Sequence, residues 1–562
     1  MIRRRFIRNS LAAGIAAAAS PAATHAGSLS PSSAASRGKP RMMFYHDGRH
    51  PLIYMYEPPM QKEEFEAAVD ELVGTPIDAI MFCLGDGRTV LHDTKIGELW
   101  GHNVKKWSHL IFRRAHQNAK KLIEEGNDPL RVVCDRAHVK GLRIYPTLLV
   151  QQGTGTPGED VRSSNFRFNN RHLEIGAKGG LDPKFPGLTC LDFKHKEVQE
   201  ERFALIQETL IRYPIDGFEL QLNYQPYYFR PDEVQEGRQI MTDWIRRVYR
   251  AVKESGSDRE LAICIPASLE GCLMVGLDVR DWIHQGIVDV LIGQGFGGPE
   301  LVDQTLNFRP LVEAAKGSSC RVHAALQSHI DSDRLGESTI AISRAAACNY
   351  WDQGVEGLYL AHWFNNWPYE ASFYEKLREL PHPEVMAYRD KFYFIPTVTG
   401  RYPEPTLEPG LKMQLPVDLK VDQSVTVEWT ITDDLPKWKN TGRVHEVLLR
   451  MRVLNTTELD QLTFRLNGNT LPNSLLRKIN EMYKMRSPRY RVFGYWFVYR
   501  LSPDYWPKRG KNSLEVFLTR RDPDVIPQIA LRDVELEIKY LMGKNYRRGQ
   551  DSDLGDYEIT MS

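Results

Sequence analysis

One short segment combines a carboxylate, two amides and an aromatic ring in a spacing that suits recognition of a sugar. From Gly217 onward, apolar residues alternate with Glu219, Gln221 and Asn223, and Tyr224 follows, which predicts a strand with one polar face. Sugar hydroxyls need hydrogen-bond donors and acceptors, and sugar C–H faces need flat apolar surface. We therefore interpret this segment as part of a carbohydrate site. The alternative is a polar lining of a barrel strand.

Acidic and aromatic residues also follow other predicted strands. Cleavage of a glycosidic bond uses two carboxyl groups, one as acid and one as nucleophile or base. Glu219 is the first candidate for a catalytic carboxyl, and Glu270 and Asp86 are candidates for its partner. The structural alternatives are a surface acid for Glu270 and a turn residue for Asp86. The residues predicted to position the sugar are Asp47, Gln221, Asn223, Tyr224, His362, Trp363 and Trp367.

A metal site is the weaker hypothesis. His46, Asp47 and His50 form a local cluster, but histidines four residues apart in a loop are common by chance. The chain has no His-Glu-x-x-His sequence and no Cys/His pair at ligand spacing. We expect no metal and no other cofactor, and we keep a metal-dependent hydrolase that uses this cluster as a minor alternative.

Eight predicted strands alternate with helices between residues 41 and 385, and they must position these side chains. Besides the segment described above, the strands are predicted at 42–47, 77–84, 142–150, 261–267, 288–294, 321–327 and 355–362. This count fits a (β/α)8 TIM barrel, whose ligand site lies at the carboxyl ends of the strands. A doubly wound sheet is the alternative, but no glycine-rich phosphate turn follows an early strand. Helices are predicted at 109–139 and 299–316, and the insertion 151–191 is predicted to form a lid or a wall of the site.

The pattern changes in the last third of the chain. Short stretches with period-two alternation, separated by turn residues, replace the helical period from about residue 396. They predict a C-terminal all-β sandwich or jelly-roll domain over 396–545, followed by a polar tail over 546–562. The predicted fold class is therefore α/β, a (β/α)8 barrel followed by an all-β sandwich.

The N-terminus predicts export. Arg3-Arg4-Arg5-Phe6-Ile7 fits the twin-arginine pattern, and an alanine-rich run with small residues before a cleavage point after Ala26 follows. We predict a signal peptide over 1–26, a flexible linker over 27–40 and a periplasmic or extracellular protein with no membrane association after cleavage. The seven cysteines have no framework spacing, and most of them are predicted to be core thiols.

The overall charge argues against two classes of partner. With 73 Lys and Arg against 72 Asp and Glu, the net charge is +1. There is thus no electrostatic case for a nucleic acid or an anionic membrane surface. A carbohydrate is the expected partner.

Three parts of the sequence resemble known families. Residues 216–224 resemble the strand-four signature of chitinase-like glycosidases, Asp-Gly-x-Asp-x-Asp-x-Glu, with Asn223 where that family has its proton donor. Residues 191–198, together with Asp216-Gly217, are similar to the glycosyl-hydrolase-like family Ten proteins, which are exported barrels. Residues 462–468 and 501–516 resemble jelly-roll modules appended to many glycosidases, which bind sugar or brace the barrel.

These resemblances imply a barrel fold and sugar chemistry. The function we predict is an exported glycoside hydrolase that cleaves a polysaccharide or an oligosaccharide with carboxyl groups at the carboxyl ends of the barrel strands. Gln221 and Asn223 replace acids of the chitinase-like signature. They motivate the alternative, a carbohydrate-binding or scaffold barrel that has lost its catalytic acids.

Overall fold

Eight parallel strands close into a barrel in the N-terminal two thirds of the chain. The computed structural model describes residues 38–52, 57–332, 335, 337–399, 406–408, 410–480 and 494–543. Each barrel strand pairs with the next in chain order, and the last pairs with the first, as predicted. The strands are β1 Met42–His46, β2 Ala79–Asp86, β3 Arg143–Leu149, β4 Gly217–Gln221, β5 Glu260–Pro266, β6 Val290–Gln294, β7 Arg321–Leu326 and β8 Gly357–Leu360.

Helices cover the outside of the barrel. They are Lys62–Phe65, Ala67–Asp70, Leu110–Glu124, Pro129–Lys140, Lys196–Arg212, Val234–Ser255, Leu269–Met274, Val279–Gln285, Arg309–Ala315, Ile340–Asp352, Ala371–Glu379 and Pro383–Met386. A helix at Asn165–Asn169 and a 3₁₀ turn at Arg171–Leu173 lie in the insertion after β3, and a 3₁₀ turn at Trp363–Asn366 follows β8. Two short strands, Thr89–Val90 and Glu98–Leu99, extend the sheet beyond β2.

Two helix predictions need correction. The region 109–139 is two helices, because Gly126 adopts a left-handed conformation and Asp128 caps a second helix that starts at Pro129. The predicted helix 299–316 is wrong over residues 299–308. There Val302 donates its backbone N–H to the carbonyl of His329, and the Asp303 carboxylate accepts from Thr305. These hydrogen bonds replace those that a helix would form.

The barrel strands alternate between two cores. One set of side chains, including Met43, Met81 and Tyr359, fills the barrel interior. The other set, including Phe44 and Leu220, packs outward against the helices. This alternation decides which residues of a strand can approach the ligand end of the barrel.

A two-layered β-sandwich follows the barrel, as predicted. The strands are β9 Lys391–Phe394, β10 Val417–Asp418, β11 Ser424–Ile431, β12 Val444–Leu454, β13 Gln461–Leu466, β14 Asn469–Thr470, β15 Leu476–Asn480, β16 Gly494–Arg500, β17 Gly510–Arg520 and β18 Ala530–Tyr540. The larger sheet has the order β9–β18–β12–β16–β15 with β10 beside β18, and the smaller sheet has the order β11–β17–β13–β14. The first strand begins before residue 396, where the domain was predicted to start. The prediction missed it because it is short and fully buried and therefore shows no alternation. Helix Leu435–Asn440 and 3₁₀ turns at Asn473–Leu475 and Pro503–Tyr505 connect strands.

Side chains of the barrel fasten the sandwich in place. Gln304 donates to the carbonyl of Phe392 at 2.9 Å and accepts from the backbone N–H of Phe394 at 2.9 Å. Asn349 on helix Ile340–Asp352 donates to the carbonyl of Thr430 at 3.0 Å. From Pro40 onward, barrel and sandwich form one compact unit.

Several sequence predictions concern the ends of the chain. The predicted signal peptide, residues 27–37 of the linker and the tail over 546–562 lie outside the described residues. Within the described ranges, no helix is long and apolar enough to cross a membrane. All seven cysteines are buried free thiols, whereas the sequence predicted this for most of them.

Candidate active site

A pocket of about 240 Å³ opens at the carboxyl ends of the barrel strands. Four of the predicted site residues line it: Asp47, Gln221, Tyr224 and His362. The other lining residues are Tyr45, Arg49, His50, Phe112, Leu149, Arg162, Gln294, Gly298, Glu300, Tyr359, Ala361 and Phe364. The pocket thus joins carboxylates, amides and aromatic rings in one cavity.

Arg49 lies between two aspartates at one side of the pocket. Its Nε is 3.5 Å from Asp47 Oδ2, and its Nη1 is 3.4 Å from Asp86 Oδ2. Asp86 Oδ2 also accepts from Trp100 Nε1 at 2.8 Å, and the Asp86 side chain is 1% exposed. Asp86 is therefore placed behind Arg49, where it can hold the guanidinium but does not line the pocket.

Asp47 lines the pocket as a carboxylate. Its Oδ1 accepts from the backbone N–H groups of Arg49 at 3.1 Å and His50 at 2.9 Å. Burial acts to raise the pKa of Asp47, but the positive charge of Arg49 and the neighbouring His50 and His46 outweigh it, so the pKa lies below its ordinary value of 3.8. Asp47 is thus ionised at neutral pH.

The histidines near β1 are not assembled as a metal site. The ring of His46 stacks on Phe82 of the outer core with 5.2 Å between centroids, and its Nδ1 accepts from the backbone N–H of Gly48. Burial lowers the pKa of His46 to about 4. No group of three His, Cys, Asp or Glu side chains in the described part of the chain could hold a metal ion. His50, in contrast, lines the pocket.

Glu219 lies beneath the pocket and does not line it. It points into the barrel interior and is 0% exposed. Its Oε1 accepts from the Tyr359 hydroxyl at 3.0 Å, and its Oε2 accepts from the Thr147 hydroxyl. Burial raises the pKa of Glu219 to about 7, although both hydrogen bonds act to lower it. Because Tyr359 lines the pocket, it separates this carboxyl from a bound ligand.

Asn223 holds a neighbouring loop in place. Its Nδ2 donates to the carbonyl of Gly295 at 2.6 Å and to Gln294 Oε1 at 3.3 Å. Its Oδ1 accepts from the backbone N–H of Gly297 at 3.2 Å. Asn223 is fully buried. It therefore positions the loop after β6, which carries Glu300, and does not contact the pocket.

Three predicted residues lie away from the pocket. Glu270 is exposed in the first turn of a short helix after β5. Trp363 is fully buried in the outer core, where its Nε1 donates to the carbonyl of Leu326 at 2.9 Å, so its faces cannot stack on a sugar. Trp367 is beside His50 but donates to Glu71 Oε1 at 2.8 Å and is not part of the lining.

The sequence reasoning missed two charged residues of the lining. Arg162 comes from the insertion after β3, which was predicted to form a wall or a lid without any residue being named. Glu300 follows Gly297-Gly298-Pro299 in the segment that was predicted as helix. Both glycines have left-handed φ values, and a Gly-Gly-Pro sequence directly after a strand is the signal that indicates a loop here.

The backbone turns sharply at the end of β8. His362 has φ 55°, a left-handed conformation that is unfavourable in free energy for any residue except glycine. Its Nδ1 is 3.0 Å from Gln327 Oε1, and Ser328 donates to its carbonyl at 2.9 Å. Burial lowers the pKa of His362, although Glu300 and Asp47 act to raise it. The ring is thus neutral at pH 7.

Comparisons with known proteins give structural similarity only. No protein-family model and no curated protein sequence matches the chain. The chain is similar to a cycloisomaltooligosaccharide glucanotransferase from Paenibacillus sp., at 12% identity over 88% of this chain and 57% of that one, with a TM-score of 0.36. It is similar to alpha-L-fucosidase isoenzyme 2 from Paenibacillus thiaminolyticus, at 13% identity over 62% of this chain and 49% of that one, with a TM-score of 0.39.

A third solved structure is similar over more of its own length. The chain covers 98% of the glycoside hydrolase domain of PgaB (BpsB) from Bordetella bronchiseptica, with 60% of this chain aligned, at 13% identity and a TM-score of 0.39. The chain spans only about half the length of the first two proteins, 57% and 49%. At these scores, none of the three identifies a substrate or a reaction for this chain.

Proposed function

We propose that this protein is a glycoside hydrolase. One observation carries the proposal: two carboxyl groups, those of Asp47 and Glu300, line the same pocket at the carboxyl ends of the barrel strands. Gln221 and Gln294 add amide groups, and Tyr224 adds an aromatic ring. Paired carboxyls are the groups that cleave most glycosidic bonds, and amides beside aromatic rings suit a sugar.

The two carboxyl groups have different roles in this proposal. Asp47 stays ionised, because Arg49 and the backbone N–H groups favour its charged form. It is the nucleophile or the base that activates water. Glu300 lies on the loop that Asn223 holds and is the acid that protonates the leaving oxygen. Glu219 supports the floor through Tyr359 and does not touch the substrate.

A carbohydrate-binding barrel without catalysis is the second candidate. The observation that favours it is the position of the three polar residues at 219, 221 and 223. Glu219 is buried beneath the floor, Asn223 is occupied with the loop after β6, and Gln221 alone of the three lines the pocket. For the hydrolase, we also propose a polysaccharide or an oligosaccharide as the substrate and a relation to the chitinase-like and family Ten proteins.

A depolymerisation screen separates the two candidates. The protein from Gly27 onward would be incubated with plant, bacterial and marine polysaccharides and with aryl glycosides, and released reducing ends would be measured. We expect Asp47→Asn and Glu300→Gln each to lose about 10²–10⁴-fold in kcat. Glu270→Gln changes an exposed carboxyl outside the pocket and serves as the matched control. Binding of a polysaccharide without release of products would support the binding protein.

The leaving group distinguishes the acid from the nucleophile. An activated aryl leaving group needs little protonation, so Glu300→Gln is expected to recover most of its activity on such a substrate while Asp47→Asn is not. Equal losses of both variants on activated and unactivated substrates would contradict this assignment of the two roles.

Export by the twin-arginine route is a separate proposal. It is supported by Arg3-Arg4-Arg5-Phe6-Ile7 and the alanine-rich run before Ala26. Cell fractionation of the full chain, with Arg3→Lys and Arg4→Lys combined, tests it. The wild type is expected outside the cytoplasm with Gly27 as its first residue, and the variant is expected to stay inside. An unchanged distribution of the variant would refute the proposal.

A further inference from the structure

A row of four alternating charges runs along one side of the candidate active site. The row is Asp47, Arg49, Asp86 and Arg162. Asp47 Oδ2 is 3.5 Å from Arg49 Nε, Arg49 Nη1 is 3.4 Å from Asp86 Oδ2, and that oxygen is 3.9 Å from Arg162 Nε. Opposite charges at these distances attract one another. Arg49 and Asp86 each have an opposite charge on both sides, whereas Arg162 is the positive end of the row.

The two ends of the row differ in how well they are paired. Asp47, at the negative end, accepts from two backbone N–H groups in addition to its contact with Arg49. The guanidinium of Arg162 donates no hydrogen bond to any described residue, and its 3.9 Å contact with Asp86 is longer than a hydrogen bond. The same Asp86 oxygen already accepts from Trp100 and Arg49. Arg162 therefore has the weakest compensation of the four charges.

Arg162 is also the most accessible member of the row. It lines the pocket, and its side chain is 33% exposed, against 8% for Asp47 and 1% for Asp86. A ligand can thus reach the guanidinium more easily than the carboxylates. Glu300, the other carboxyl group of the lining, forms no ion pair with Arg162 in the part of the chain that the structure describes. The pocket therefore offers a positive group whose partner must come from the ligand.

We propose that the substrate of this pocket is an acidic carbohydrate, whose carboxylate or sulfate ester binds Arg162. This negative group would continue the alternation of charges beyond Arg162, which an uncharged hydroxyl cannot do. A guanidinium presents several N–H donors in one plane, and its charge-assisted hydrogen bonds to anionic oxygens are about twice as strong as those between neutral groups. The inference rests on the proposed function, because it names the substrate class of the same pocket.

Calorimetric titration of the wild-type protein tests this preference. The acidic probes are hexasaccharides of galacturonate, mannuronate and hyaluronan, which carry carboxylates, and of carrageenan, which carries sulfate esters. Each is compared with its uncharged form, the methyl ester or the desulfated sugar. We expect at least one acidic probe to bind about tenfold or more tightly than its uncharged form, with an affinity that falls as salt is added. The probe that binds identifies the carboxylate or the sulfate ester as the recognised group.

Substitutions of Arg162 assign the preference to this residue. Arg162→Gln should weaken binding of the acidic probe about 10- to 100-fold and leave binding of its uncharged form unchanged. Arg162→Lys keeps the charge without the planar donors and should bind with intermediate affinity. Both variants should fold, since the backbone N–H of Arg162 donates to Asp160 and its carbonyl accepts from Thr89, and thermal unfolding checks this. Arg250→Gln, at an exposed arginine outside the lining, is the matched control.

Three results would overturn the inference: equal binding of the acidic and uncharged forms, no binding of any acidic probe at millimolar concentration, or an affinity unchanged in Arg162→Gln. Product release is measured in the same samples, which separates this inference from the proposed function. An acidic probe that binds through Arg162 without being cleaved would support the inference and count against the hydrolase. Cleavage of uncharged probes alone would overturn the inference and leave the hydrolase in place.

Discussion

Tyr359 donates its phenolic hydrogen to Glu219 across 3.0 Å, and this bond lies beneath the floor of the candidate active site. Thr147 donates to the other carboxyl oxygen. Glu219, the first candidate for a catalytic carboxyl in the sequence, is thereby enclosed in the barrel interior. Its pKa is raised to about 7 by burial, so it carries a proton in mildly acidic solution when most carboxyl groups do not.

Replacement of this carboxyl should change how stability depends on pH. The unfolded chain loses the Glu219 proton near the ordinary pKa of 4.5, and the folded protein loses it near 7. Between these values the folded state holds more protons, so stability falls as pH rises. Relative to Glu219→Gln, the free energy of unfolding of the wild type should fall by about 3 kcal/mol across this window. Urea denaturation at several pH values measures it.

A difference between the two proteins that stays constant from pH 4 to pH 8 would contradict the raised pKa of Glu219. The control is Glu270→Gln, which removes an exposed carboxyl and should leave the shape of the pH profile unchanged.

Asp86 is expected to act on the pocket through Arg49. Asp86→Asn removes one of the two negative charges that hold this guanidinium, while the Trp100 contact can persist. A displaced Arg49 should lower kcat/KM by about ten- to a hundredfold, because small misplacements in an active site have effects of this size. Kinetics on the substrate found by the screen measure the loss. Asp243→Asn, on the exposed surface of helix Val234–Ser255, should have no effect.

Two aromatic residues should separate core packing from ligand binding. Trp363→Ala leaves a large cavity in the outer core and should lower the free energy of unfolding by about 3–5 kcal/mol. Tyr224→Ala truncates a half-buried ring of the pocket and should weaken sugar binding with a much smaller effect on stability. Thermal unfolding and binding titrations on both variants make the comparison. The reverse pattern would mean that Trp363, and not Tyr224, contacts the sugar.

The buried ion pair of the sandwich should be essential for its stability. Lys391 Nζ is 2.9 Å from Asp433 Oδ1, and both side chains are almost completely buried. Asp433 also accepts hydrogen bonds from Tyr393 and Tyr540. Asp433→Asn leaves the Lys391 charge uncompensated and should destabilise the protein by about 3–5 kcal/mol. Glu200→Gln, which breaks an exposed pair with Arg247, should leave the melting temperature unchanged within error.

The order of the barrel strands is predictable from the sequence because each strand depends on a local pattern. Strands Arg143–Leu149 and Arg321–Leu326 lie within the ranges predicted for them. The face of a strand residue follows from alternation as well, so the inward direction of Glu219 is predictable. Its depth within the barrel is not, because depth depends on how far neighbouring strands extend beyond it.

The loops were less predictable, since their course depends on contacts from distant parts of the chain. At the end of β8 the chain turns at His362, after which Trp363 enters the outer core and Phe364 reaches the pocket. No periodicity distinguishes these two neighbouring aromatic residues. Glu300 was missed because its loop is held by Asn223 and by a backbone contact to the segment after β7, both remote in sequence.

Helix Ile340–Asp352 belongs to two cores at once. Its Ile342 and Ala346 pack in the outer core of the barrel, whereas Ala345 packs in the core of the sandwich and Asn349 binds β11. The packing of the C-terminal domain therefore depends on a helix of the barrel. A chain cut at the boundary between the two domains would leave Ala345 and Asn349 of this helix without the partners that the sandwich supplies.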